Sequence, residues 1–166
     1  MSESLEQEVV RRLTERGLTL AVAESCTGGL VGHRVTGVSG SSACFRGGVI
    51  AYHNEVKAAV LGVPEDLLER EGAVSEAVAL AMARGARERL AADLGLAVTG
   101  IAGPEGGTPE KPVGLVYIAL AHAGGAVAQR RLWSGDRAQN KERSAEGALQ
   151  LLRQYLLSGR GLVGEA

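Results

Sequence analysis

Residues 18–23 read Leu-Thr-Leu-Ala-Val-Ala, an apolar run too brief for a helix and without the alternation of a half-exposed strand. Such a run is a central strand covered on both faces, which calls for helices on either side of its sheet. Ser4-x-x-Gln7 forms a capping box, and Leu5, Val9, Val10 and Leu13 follow at helical spacing up to a stop at Gly17. Cys44 to Tyr52 reads as a second strand, with Gly47-Gly48 marking close backbone approach or a bulge. Asn54 is placed to cap a helix over 55–61 closed by Gly62, and Pro64 to take the first position of another. An Ala-rich helix is expected from Ser75 to about Ala92, ended by Gly95, followed by a third strand over 96–99. Val113 to His122 and Ala126 to Trp133, joined at Gly124-Gly125, read as an antiparallel hairpin. A last helix runs from about Arg137 to Leu157. The expectation is an α/β fold: a three-layer α/β/α sandwich around a mixed, mostly parallel sheet of about five strands. One strand should run against the rest. With no linker, repeat or low-complexity tract, residues 1–166 are expected to form a single domain.

Composition narrows the function. Apolar residues make up 45% of the chain, which excludes wholesale disorder. Lys plus Arg number 18 against 19 Asp plus Glu, so the basic excess of a phosphate-neutralising nucleic-acid binder is absent. The longest apolar run, Leu115 to Ala121, is far short of a membrane span. The acidic start lacks the apolar core of a signal peptide, and Cys26 and Cys44 show no disulfide or Cys-x-x-Cys pattern. A cytoplasmic protein with a small-molecule partner is the expectation, without nucleic acid or membrane.

The strand at 18–23 runs into Glu24-Ser-Cys-Thr-Gly-Gly29, with a helix expected to begin near Thr27 to Gly29. Ser25 thus sits at a strand-to-helix turn, where free N–H groups gather. It is either an N-cap serine or a nucleophile whose oxyanion the following N–H groups receive. Those groups belong to Cys26, Thr27 and Gly28. The Gly-x-Ser-x-Gly elbow is missing, which disfavours an α/β-hydrolase. Cys26 is a competing nucleophile if the turn lowers its pKa, or else a small buried residue. His33, expected two turns along the following helix, is badly placed to serve it. His33, His53 and His122 lie in separate elements without ligand spacing, so no metal site and no cofactor are expected. Lys57 falls in the first turn of the helix after Tyr52, where the helix dipole opposes a cation. It is either an exposed lysine or a base whose pKa is driven down. The glycine-rich loop from Gly100 to Gly107 follows a strand's C-terminal end, where open α/β sheets bind ligands.

Four segments together resemble the CinA C-terminal family. They are Ala23-Glu-Ser-Cys-Thr-Gly-Gly29, Gly47 to Lys57 with Leu61-Gly-Val63, Gly72-Ala-Val-Ser75, and Val98-Thr-Gly-Ile-Ala-Gly-Pro104 with Gly106-Gly107 and Lys111-Pro112. The likeness spans nearly the whole chain and suggests the stand-alone form of the family, whose members include nicotinamide-nucleotide amidases. It implies hydrolysis of the carboxamide of nicotinamide mononucleotide, giving nicotinate mononucleotide and ammonia without a metal. It further implies Ser25 as nucleophile, Lys57 as its base and Tyr52 as an orienting or relaying hydroxyl. Gly29, Thr99, Gly100 and Gly103 would line the nucleotide site, and Arg137 or Arg143 would meet its phosphate. A homo-oligomer, dimer or higher, is expected. His53 and Leu115 depart from the family's usual residues and bear only on fine preference. Two other readings stay open: a nucleotide-binding module without catalysis, and an amidase for a different nucleotide-like amide.

Overall fold

The computed structural model describes residues 2–158. Helix α1 (Leu5–Glu15) starts on the expected capping box, Ser4 Oγ accepting from the Gln7 N–H and Gln7 Oε1 from the Ser4 N–H. Strand β1 (Leu20–Glu24) is buried throughout. It lies between β2 (Phe45–Ile50) and β3 (Leu94–Gly100), parallel to both. Next to β3 comes β4 (Leu115–His122), then β5 (Gly125–Leu132), each antiparallel to its predecessor. The sheet order is therefore β2-β1-β3-β4-β5, and β4 alone runs against the other strands.

Alternation along β1 divides the core. Leu20 and Val22 join the cluster formed with α1, α2 (Leu30–Thr36) and α6 (Arg137–Ser158). Ala21 and Ala23 face the other layer, α3 (Asn54–Leu61), α4 (Glu65–Glu71) and α5 (Glu76–Arg89). The second face is built from small residues so that α5 can lie close to the sheet. A Cβ at Gly95 would run into the Ala83 carbonyl. Gly95 is thus inside β3 rather than the stop of α5, which ends at Arg89; the chain then turns back through Ala91 at φ 51°.

Three helix starts also differ from expectation. Helix α2 begins at Leu30 and not within 27–29, because Gly28 (φ 61°) and Gly29 (φ 107°) hold the left-handed region. His33 consequently sits in the first turn of α2. The cap of α3 is His53, whose carbonyl takes the N–H groups of Val56 and Lys57; Asn54 is already helical and makes no side-chain cap. Pro64 is the cap of α4 and not its first residue, so this helix starts one position later than expected, the Pro64 carbonyl accepting from Leu67 and Leu68.

Candidate active site

The C-terminal ends of β1, β2 and β3 converge, and the site forms there. Glu24 pairs with Ile50 on one side and Val98 on the other. Ser25, one residue past β1, is pinned by its N–H to the Val98 carbonyl at 2.9 Å. The chain leaving β2 turns at Ala51-Tyr52 into α3, whose first turn carries Lys57. This lysine is only 1% exposed. Its Nζ lies 3.1 Å from Ser25 Oγ and donates to the carbonyls of Ala51 (2.8 Å) and Tyr52 (3.1 Å). Burial lowers its pKa from the ordinary lysine value, with the Cys26 thiol a smaller opposing influence.

Ser25, Cys26, Tyr52, Lys57, Thr99, Gly100 and Arg137 all border one cavity of about 210 Å³. Thr99 Oγ1 donates to the Ala73 carbonyl and so ties β3 to the wall formed by Ala73 and Val74. Arg137, first residue of α6, donates to the Gly103 carbonyl at 2.7 Å and to the Tyr52 hydroxyl at 3.1 Å. Tyr52 is exposed, and the group it gives the lysine is its carbonyl, not its hydroxyl.

Other expected residues fall elsewhere. Arg143 is exposed, borders neither Ser25 nor Lys57, and lies against Gly135. Thr27, Gly28 and Gly29 line a separate groove of about 450 Å³ together with His33 and Lys141. The Gly28 N–H is committed to the Ser25 carbonyl at 3.1 Å. Among the described residues, the Cys26 and Thr27 N–H groups of this turn donate to no protein acceptor. Cys26 is buried, which pushes its thiol up to about 12 and keeps it protonated near neutrality. No three His, Cys, Asp or Glu side chains among the described residues form a group that could hold a metal ion. No described helix is long and apolar enough to cross a membrane.

The CinA C-terminal domain profile matches residues 2–156. The chain belongs to the CinA C-terminal domain family. A CinA-like protein of Desulfotalea psychrophila is 54% identical over 155 residues, covering 93% of this chain and 38% of that relative. A CinA-like protein of an Anaeromyxobacter species is 57% identical over 154 residues, again covering 93% of this chain and 38% of its own. The chain thus spans well under half the length of these curated relatives. Among solved structures, the competence/damage inducible protein CihA of Agrobacterium tumefaciens superposes with a TM-score of 0.89 at 40% identity. That match covers 92% of this chain and 93% of CihA. ComA of Klebsiella pneumoniae superposes with a TM-score of 0.90 at 35% identity, covering 94% and 97%.

This CinA domain also uses residues that motif reading passed over. Asn140, 1% exposed, donates to the carbonyls of Ala102 and Gly135 and accepts the Gly135 N–H. It thereby fixes the loop after β3 to the start of α6, where Arg137 sits. Glu24 is buried as well, and its carboxylate accepts from the N–H groups of Gly29, Val31 and Gly32 at 2.9–3.2 Å. A lone acidic residue closing an apolar strand was the available signal.

Proposed function

We propose that this CinA domain is an amidase that hydrolyses the carboxamide of nicotinamide mononucleotide to nicotinate mononucleotide and ammonia. The observation that carries this reading is the buried Lys57 amine on Ser25 Oγ. As an ammonium, Lys57 has three protons for three acceptors. As a neutral amine it keeps two protons for the Ala51 and Tyr52 carbonyls and turns its lone pair to the Ser25 hydroxyl. Burial favours the neutral form. Lys57 therefore takes the Ser25 proton as Oγ attacks the amide carbon, and returns it to the departing nitrogen. Water then enters by the same route: Lys57 accepts its proton, the acyl ester breaks, and Ser25 is restored. The uncommitted N–H of Cys26, which borders the same cavity, is the turn's donor for the oxyanion.

Volume supports a ring-sized group inside and the rest of the nucleotide outside. The cavity of about 210 Å³ is smaller than the roughly 300–1,000 Å³ of whole-ligand pockets. Arg137 and the Tyr52 hydroxyl stand at the part of the rim open to solvent, and the guanidinium fork suits a phosphate. Arg143 has no part in this reading. The test is incubation with nicotinamide mononucleotide, measuring ammonia and nicotinate mononucleotide together. Stoichiometric release of both, lost in Ser25→Ala, is expected; no release above the Ser25→Ala background overturns the assignment.

A further inference from the structure

Helix α2 has seven residues and starts from Gly29, which has no side chain to cap it. Its first-turn donors would be orphans, as at any uncapped helix start. Glu24 fills that role from the strand that precedes the turn. Its Oε1 accepts from Gly29 (3.2 Å) and Val31 (2.9 Å), and its Oε2 from Gly32 (3.0 Å). The Leu30 N–H goes to the Thr27 carbonyl and the His33 N–H to Gly29. With Gly28 committed to Ser25, every donor from Gly28 to His33 is taken internally. The start of α2 therefore has no donor left for a substrate. The carboxylate also spans the turn that carries Ser25, joining the residue before it to residues four, six and seven places after it.

We propose that Glu24 is a positioning residue for Ser25. Its carboxylate fixes the 25–29 turn in the shape that keeps Ser25 Oγ on Lys57 Nζ and leaves the Cys26 N–H in the cavity for the oxyanion. This rests on the amidase reading for its role in turnover. The tether itself is independent of any substrate.

Glu24→Gln is the direct test. One amide oxygen replaces two carboxylate oxygens, and the NH₂ group meets an N–H donor instead of accepting from it. Glu24→Asp, which keeps the charge but is a methylene shorter, is the second variant. Two readouts separate the tether from the amidase reading. The first is the rate at which a small fluorophosphonate labels Ser25, followed by mass: Oγ bonds to phosphorus, fluoride leaves and Lys57 takes the proton. The second is kcat and KM on nicotinamide mononucleotide across pH.

The expected result is folded Glu24→Gln protein with labelling and kcat each down at least tenfold and KM within threefold. The rising limb of kcat with pH should move little, because the burial of Lys57 and its bonds to the Ala51 and Tyr52 carbonyls lie outside the loosened turn. Glu24→Asp should recover part of the labelling rate. Folded Glu24→Gln that labels at the wild-type rate overturns the proposal and leaves Glu24 a merely structural group. If the wild type labels but does not turn over the nucleotide, the amidase reading fails while the labelling arm still decides on Glu24. Hydrogen exchange on the wild type needs no variant: the Gly29, Val31 and Gly32 amides should be protected, and exchange at the free-peptide rate overturns the tether.

Discussion

Replacing Lys57 by Met tests the site through stability alone, with no substrate in the experiment. Lys57 is buried, and burial lowers its pKa in the folded chain; on unfolding it returns to about 10.4. The sign follows from counting protons. Below the lowered folded value both states hold the proton, and the folded state carries the full cost of a buried ammonium. Between that value and about 10.4 only the unfolded chain holds it, so stability rises with pH, by at most about 1.4 kcal/mol per pH unit for one group. Above about 10.4 the cost is gone. The Met variant has nothing to titrate there.

Met approximates the apolar stem of lysine but cannot donate. The substitution leaves the Ala51 and Tyr52 carbonyls without their lysine donor. About 1 kcal/mol for each is the low end for a stranded buried acceptor, suitable here because Tyr52 lies beside solvent. The wild type should therefore lead by about 2 kcal/mol above about pH 10.4, where the amine is neutral in both states, or about 4–8 °C in Tm for a chain of this size. Below about pH 10.4 that lead should shrink by up to about 1.4 kcal/mol per pH unit, because the unfolded lysine holds a proton that the folded one must give up, until the lowered folded value is reached. Urea melts of both proteins between pH 6 and 10 measure the difference, and titrations common to both cancel in it. A difference that stays constant over this range, or narrows as pH rises, refutes the lowered pKa and with it the base role.

Cys26→Ala should keep amidase activity within a few-fold, since a thiol pushed up to about 12 is no nucleophile at neutral pH; greater loss there than in Ser25→Ala would make this a thiol amidase. Arg137→Ala should raise KM for nicotinamide mononucleotide about tenfold, the worth of one charge-assisted bond. Arg143→Ala should leave KM unchanged, and the reverse ranking in steady-state kinetics would move the phosphate. Thr27 Oγ1 is buried without a hydrogen-bond partner. Thr27→Val should thus stabilise by about 1 kcal/mol, seen as a Tm rise of about 2–4 °C; a fall in Tm would mean that the hydroxyl has a partner.

The elements easiest to read were those whose signals are local. The capping box of α1 and the tight turn between β4 and β5 lie within a few residues of the structure they specify. Local signals mislead where a long-range contact decides the boundary. Gly95 looked like a helix stop because glycine usually is one, but it is required in β3 by the approach of α5 to the sheet. Sequence alone puts the start of α2 too early because two left-handed glycines can open a helix or delay it, and only the Glu24 tether shows which.

Ser25 and Lys57 are 32 residues apart, and no periodicity links them. Parallel pairing does. With Glu24 opposite Ile50, the chain leaves both strands at the same sheet edge, and α3 returns its first turn over the end of β1. The motifs named the residues, while the register explains why they meet. The choice between Arg137 and Arg143 was open to helical arithmetic. Six residues turn an α-helix through about 600°, so the two cannot share a face. Positions three or four and seven beyond Arg137 do share it. These include Asn140, Lys141 and Ser144, and two of the three are buried. Asn140 and Ser144 on the inner face were the legible sign that α6 anchors the loop after β3 there, leaving Arg137 at the site. A polar residue on an amphipathic helix is ordinarily assigned to solvent, and that default hid it.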